Sequence, residues 1–214
     1  MKLILLGSPG VGKGTYTQEL VKDLGLVHIS TGDIFRENIK NHTPLGKEVE
    51  EYLTSGKLVP DELVIQIVED RLKHKDCQEG FILDGFPRTL AQAEALGNIT
   101  KIDLVLNFKA DLAVIIDRLS GRRVCKSCKW IYHVKNNPTK KQGVCDKCES
   151  ETFHRPDDFP EAIQKRLAVY ETETKPLIDY YQKKGLLREV TVNEDFVLHR
   201  EKIMKRIHEA IGKK

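Results

Sequence analysis

Leu3-Ile4-Leu5-Leu6-Gly7-Ser8-Pro9-Gly10-Val11-Gly12-Lys13-Gly14-Thr15 opens the chain after Met1 and Lys2. A short apolar run into a glycine-rich turn and then a helical stretch reads as a buried strand feeding a phosphate-binding loop. Glycines let successive backbone N–H groups turn inward around a phosphate. Lys13 adds a full positive charge, and the first turn of the following helix adds a partial one. Gly7, Gly12 and Lys13 satisfy the G-x-x-x-x-G-K part of the P-loop pattern. Gly14 then takes the usual hydroxyl position, and the hydroxyl arrives one residue later, at Thr15.

Outward from this loop, apolar runs suited to buried parallel strands recur at residues 2–6, 26–29, 80–83, 103–108 and 187–192. Helical stretches separate them at 13–24, 62–72, 90–96 and 112–119, with a long one from Pro160 and a last one over 196–211. This alternation predicts an α/β fold, a doubly wound parallel sheet of about five strands. Two segments break the rhythm. Residues 31–59 read as helical and polar, opening with the helix-start pattern Ser30-x-x-Asp33. Residues 121–159 have few core-forming side chains. Both read as mobile insertions on one core of 1–30, 60–120 and 160–214.

The chain of 214 residues suits one substantial core with inserted pieces. Its 35 basic and 32 acidic residues are too balanced for a chain-wide nucleic-acid binder. The four-residue apolar start is shorter than a signal-peptide core, and no run approaches membrane-spanning length. A cytoplasmic protein is therefore expected, with no membrane partner. The pattern holds no long exposed apolar patch, so a monomer is expected.

Cys125-x2-Cys128 and Cys145-x2-Cys148 stand sixteen residues apart in the second insertion. Paired thiolates at this spacing resemble a zinc ribbon, and four protein ligands make the metal structural. Zinc is preferred over iron because nothing nearby suggests redox chemistry. His133 is an alternative ligand, more simply read as solvated or hydrogen-bonded. Cys77 reads as a small, partly buried hydrophobe. Residues 121–148 carry eight basic side chains against Asp146 alone, with Trp130 and Tyr132 interleaved. A rival reading follows: a basic ribbon that binds RNA and uses ATP as a switch. It leaves the 84–88 turn and the 31–59 insertion unexplained, so no nucleic-acid partner is expected.

Asp84-Gly85-Phe86-Pro87-Arg88 follows directly on an apolar strand. Carboxyl ends of strands line the ligand crevice of open α/β sheets, so Asp84 and Arg88 should lie near the loop. An aspartate there can order magnesium waters, and an arginine can grip a phosphate in bidentate fashion. Arg36, Arg118, Arg122, Arg123, Arg155 and Arg166 occur where the insertions join the core, with Asp157 and Asp158 among them. Bringing two polyanions within bonding distance needs such neutralisation.

Residues 7–15, Ser30-Thr31-Gly32-Asp33 with Arg36, Gly56-Lys57-Leu58-Val59-Pro60-Asp61, residues 84–88 with Gln92, and Gly121-Arg122-Arg123 with four cysteines occur in order along the chain. Together they resemble the adenylate kinase family, in its long-lid form with a zinc-binding lid. The Gly14-Thr15 departure is itself that family's pattern.

The resemblance implies reversible phosphoryl transfer from Mg2+-bound ATP to AMP, giving two ADP. Gly10, Val11, Gly12, Lys13, Gly14 and Thr15 would wrap the ATP phosphates. Thr31, Arg36, Lys57, Leu58, Val59, Gly85, Phe86, Pro87, Arg88 and Gln92 would hold AMP, Gln92 reading the adenine edge. Arg118 would stack near the ATP base, Arg122 would clamp its phosphates, and Ile131, Tyr132 and the Glu194 segment would add contacts to ATP. Arg155 and Arg166 would bridge the reacting phosphates. Asp84 with Asp157 or Asp158 would orient magnesium and the arginines, and Zn2+ would sit on Cys125, Cys128, Cys145 and Cys148. Kinases of UMP, CMP or GMP are the nearest alternative.

Overall fold

A computed structural model describes residues 1–212 of the chain. Five strands, β1 (Lys2–Gly7), β2 (Val27–Ser30), β3 (Phe81–Asp84), β4 (Leu104–Lys109) and β8 (Leu187–Thr191), form one sheet in the order β2-β3-β1-β4-β8. Every neighbouring pair is parallel, and each strand falls within a residue of its expected limits. The central strand β1 reads as an unbroken apolar run because both its faces are covered. Ile4 and Leu6 pack with Val64 and Val68 of α4 (Asp61–Leu72), Ala93 and Leu96 of α5 (Leu90–Ile99), and Leu177 and Tyr181 of α8 (Pro176–Lys183). Leu3 and Leu5 pack on the other face with Leu20 of α1 (Lys13–Leu24) and Ile203 and Ile207 of α9 (Phe196–Ile211). Leu3, Ile4 and Leu5 are at most 1% exposed, each burial being worth about 1.5–3 kcal/mol.

A parallel sheet puts all its carboxyl ends on one edge. Asp84 lies in register with both Leu5 and Ser30, so the loop after β1, the helix start after β2 and the turn after β3 share that edge.

Residues 31–59, expected to be helical, form two helices, α2 (Thr31–Lys40) and α3 (Pro44–Ser55). Ser30 caps α2 by accepting from Asp33 N at 3.2 Å. Thr43 caps α3 by accepting from Gly46 N at 3.0 Å, with Pro44 in the first turn.

After α6 (Leu112–Ser120) the chain leaves the sheet for a three-stranded antiparallel unit of β5 (Arg122–Cys125), β6 (Ile131–His133) and β7 (Thr152–Phe153). The long helix expected from Pro160 divides in two. α7 (Pro160–Val169) runs through a π-helical turn, Tyr170–Thr174, into α8. Lys175 N reaches back to Tyr170 O at 2.8 Å across that turn.

Candidate functional site

At the end of β1 the backbone takes positive φ at Gly7, Gly10 and Gly12. A Cβ on Gly12 would lie 2.7 Å from the Tyr16 hydroxyl, so this bend requires glycine. The bend aims the first turn of α1, which carries no acidic residue, into a cleft of about 660 Å³. Lys13 folds back over the loop, its Nζ donating to Gly7 O at 2.6 Å and Ser8 O at 3.1 Å. Burial lowers the Lys13 ammonium to about 8, and Arg88, Arg166 and Arg122 push in the same direction against Asp84.

Asp84 faces this lysine from the end of β3. Burial alone would raise its carboxyl, but His28, 3.7 Å away, and Lys13 outweigh it and hold the group below its ordinary range. Arg88 Nε donates to Gly85 O at 2.8 Å. Burial and then the neighbouring Arg166 lower the Arg88 guanidinium to about 10.

Across the cleft, Asp158 is completely buried and binds two arginines. Arg122 grips it with Nε at 2.7 Å and Nη2 at 2.6 Å, and Arg166 Nη1 donates to it at 3.0 Å. Arg166 also donates to Asp157 O at 2.7 Å. Arg36 pairs with Asp33 at 2.7 Å. Arg155 differs from the rest: its buried Nε has no hydrogen-bond partner. Burial, then Arg122 and Arg36, lower its guanidinium to about 9. Arg166 also pairs with the Asp157 carboxylate at 3.0 Å, so Lys13, Arg36, Arg88, Arg122, Arg155 and Arg166 face Asp33, Asp84, Asp157 and Asp158, and the surplus is aimed at space a phosphate can fill.

The cleft brings together most of the expected residues. Gly10, Gly12, Lys13, Gly14 and Thr15 line it at one end, and Thr31, Arg36, Lys57, Leu58, Val59, Gly85, Pro87, Arg88 and Gln92 at the other. Arg118, Arg122, Ile131, Tyr132, Arg155, Asp157 and Arg166 complete the wall. Val11, Phe86, Asp158 and Glu194 stand behind it. Val11 and Phe86 are core residues, at 0% and 1% exposure. Glu194 takes Arg206 at 2.6 Å and Lys202 at 3.1 Å on its carboxylate, which these partners hold at about 2.

Arg118, expected to stack near a base, lines the cleft and also serves as a brace. It donates to Val11 O at 2.8 Å, Val192 O at 2.8 Å and Glu194 O at 2.7 Å, tying the phosphate loop to the end of β8. Three residues with no assigned role join the site: His28 against Asp84, Asp61 against Gln92, and Thr174, which donates to Arg88 O at 2.9 Å. Asp61 lay within a quoted motif. Thr174 carried no signal, because helical periodicity runs on through the π turn.

In the small antiparallel unit, the sulfurs of Cys125, Cys128, Cys145 and Cys148 lie within 4.8 Å of one another. Cys125 and Cys148 are 3.4 Å apart and Cys128 and Cys145 3.6 Å. Zn–S bonds of about 2.3 Å in a tetrahedron put sulfurs about 3.8 Å apart, so the set fits zinc with no open position. Lys147 N donates to Cys145 Sγ at 3.4 Å, as a thiolate would require. His133 is outside this set. Its Nε2 faces Asp117 O at 3.0 Å, and its Nδ1 accepts from Lys135 N and Asn136 N at 3.2 Å each. Tyr132 turns its phenol to the metal cluster, 3.4 Å from Cys145 Sγ, and accepts from Asp146 N. Ile131 reaches the phosphate loop, 3.5 Å from where a Gly14 Cβ would lie. Cys77, expected to be partly buried, is 3% exposed.

The adenylate kinase family profile matches residues 5–186. An adenylate kinase of Caldicellulosiruptor bescii is 56% identical over 192 residues, 87% of this chain and 89% of that protein. One from Caldicellulosiruptor saccharolyticus is 50% identical over 210 residues, covering 96% and 98%. A third, from a Geobacillus species, is 48% identical over 217 residues, 99% of each chain. The span matched by the profile takes in the phosphate loop, the arginine-lined cleft and the cysteine cluster, and the chain belongs to the adenylate kinase family.

Proposed function

We propose that the cleft seats ATP and AMP end to end, ATP on the phosphate loop and AMP against the 31–59 segment and Arg88. The reaction is the family's: reversible transfer of the terminal phosphoryl of Mg2+-bound ATP to AMP, giving two ADP. One observation carries the assignment of roles. Six cations, Lys13 of the loop, Arg36 of the 31–59 insertion, Arg88 after β3, Arg122 of β5, Arg155 after β7 and Arg166 of α7, converge on one cleft, and the buried Arg155 Nε has no hydrogen-bond partner among the described residues.

An AMP phosphate oxygen is already anionic, so no general base is required. Positioning and charge stabilisation of an in-line transfer suffice. Lys13 follows the transferred group, and Arg88 anchors the AMP phosphate. Arg155 and Arg166 bridge donor and acceptor, and Arg122 clamps the ATP phosphates from the second insertion. Asp158 sets Arg122 and Arg166 relative to each other. Asp84, kept ionised, suits the hydration shell of Mg2+, which supplies further neutralisation of the phosphates when bound. Thr31 gives its hydroxyl proton to Gly85 O at 2.9 Å and so offers a base only lone pairs, which suits an amino group.

Residues 31–59 and 121–159 act as flaps on a core of 1–30, 60–120 and 160–214, excluding water from the transfer. A cytoplasmic monomer without nucleic-acid or membrane partners is the reading we favour. Lys147 lies over the Trp130 ring at 3.0 Å and occupies the face on which a base would stack. Lys126 and Lys135 are engaged by Glu151 and Asp117. Among the described residues no helix is long and apolar enough to cross a membrane.

A coupled assay with Mg2+-ATP and AMP, UMP, CMP and GMP in turn tests the reading. Fastest turnover with AMP is expected. No ADP from ATP plus AMP would overturn it.

A further inference from the structure

Gln92 is 1% exposed, and its amide oxygen and nitrogen each have one protein partner. Its Oε1 accepts from Arg88 N at 2.7 Å, and its Nε2 donates to Asp61 Oδ1 at 2.7 Å. The second oxygen of Asp61 accepts from Thr89 Oγ1 at 2.8 Å, and that hydroxyl accepts from Gln92 N at 3.2 Å. A backbone N–H can only donate and a carboxylate oxygen can only accept. Turning the amide over would set oxygen against oxygen and N–H against N–H. Asp61 and Arg88 N therefore fix which end of the amide is oxygen.

We propose that Asp61, the first residue of α4, is a specificity-determining positioning residue: by locking the Gln92 amide it selects a 6-aminopurine monophosphate over a 6-oxopurine one. Asp61 does not line the cleft and touches the acceptor only through Gln92. After its two fixed bonds, Gln92 keeps one N–H and one oxygen lone pair for a ligand. A 6-aminopurine presents an acceptor at N1 and a donor at the 6-amino group. A 6-oxopurine presents a donor at N1 and an acceptor at O6. The two edges need the amide's nitrogen and oxygen in opposite order, so an amide that cannot flip accepts one edge and rejects the other. The inference rests on Gln92 meeting the acceptor base.

The test compares AMP with IMP, which differ at this edge, in Asp61→Asn. An asparagine amide can present either nitrogen or oxygen to Gln92, so one of the two constraints is lifted and Arg88 N alone is left to hold the amide. The kcat/KM preference for AMP over IMP is expected to narrow about tenfold, mainly through KM. The KM for ATP, which this network does not touch, should stay within about twofold of the wild-type value. Equal losses with AMP and IMP, or no change in their ratio, would overturn the inference and leave Asp61 a structural residue. Gln92→Leu separates the two levels. If it leaves the ratio at the wild-type value, the contact between Gln92 and the base is what fails. If it collapses the ratio while Asp61→Asn does not, the role of Asp61 alone fails. Should Asp61→Asn not fold, Thr89→Ala removes one anchor of the carboxylate and should narrow the ratio by a smaller factor; an unchanged ratio there also overturns the inference.

Discussion

The phosphate loop and the zinc lid meet across one cleft, but their geometry is held in different ways. The loop hangs from β1, whose side chains are buried on both sheet faces among helices from the whole chain. The lid has a small apolar cluster of Cys125, Tyr132 and Cys145, with Trp130 packed against them. A unit that small lacks the apolar area to hold itself and needs a staple. The core side is preorganised by packing, and the lid side by four sulfurs. A rigid loop can therefore work opposite a lid whose order is set by metal.

The largest effect should come from Lys13→Met, which separates charge from packing on the core side. Its kcat should fall about 10²–10³-fold, as for other lost preorganised electrostatic contacts. The melting temperature near neutral pH should change little, since losing two hydrogen bonds offsets losing a buried cation. The lysine also has a pH signature. Its ordinary value is 10.5 and burial lowers it to about 8, so free enzyme keeps this charge below about pH 8 and loses it above. The kcat/KM for ATP, which reports the free enzyme, should fall above that pH. Lys13→Met should abolish that fall; a wild-type profile that stays level to pH 10 would mean that Lys13 keeps its charge despite burial.

Zinc chelation probes the lid side and should rank second. Hydrogen exchange at Val124 and Tyr132 should speed up while Leu5 stays protected, because structural zinc is folding energy for the unit that binds it. The KM for ATP should rise before that for AMP changes. Parallel loss of protection in lid and core would break the contrast between them.

The smallest effect concerns the two C-x2-C turns, which end alike: Lys129 and Glu149 both take φ of 60°. Left-handed backbone costs an L residue about 1–2 kcal/mol. Lys129→Gly should raise the temperature at which the lid loses zinc, by about 1 kcal/mol of relieved strain at most. A lowered temperature would mean that the Lys129 side chain, whose Nζ donates to Lys126 O at 3.1 Å, matters more than its backbone.

What the sequence made legible divides along the same line. The five core strands and the phosphate loop could be read because apolar runs and glycines act locally. The metal cluster could be read because ligand spacing is itself a local geometry. Roles carried by long-range hydrogen bonds could not. Arg118 sits 107 residues from the carbonyl of Val11 that it braces, and Asp61 is 31 residues from Gln92. Tyr132, expected at ATP from its place after the first cysteine pair, lines the cleft, and the contact of its phenol with Cys145 Sγ carried no signal in the sequence. The break at Tyr170–Thr174 stayed hidden because a π turn preserves helical composition, and Pro176 tolerates the first turn of a new helix.

The buried Arg155 Nε, without a hydrogen-bond partner among the described residues, has a consequence for ionic strength. Crowded like charges oppose folding of the empty protein, and mobile ions soften that opposition. The same ions compete with nucleotide phosphates for the same nitrogens. Added electrolyte therefore acts in opposite senses, making the vacant enzyme sturdier while loosening its hold on substrate.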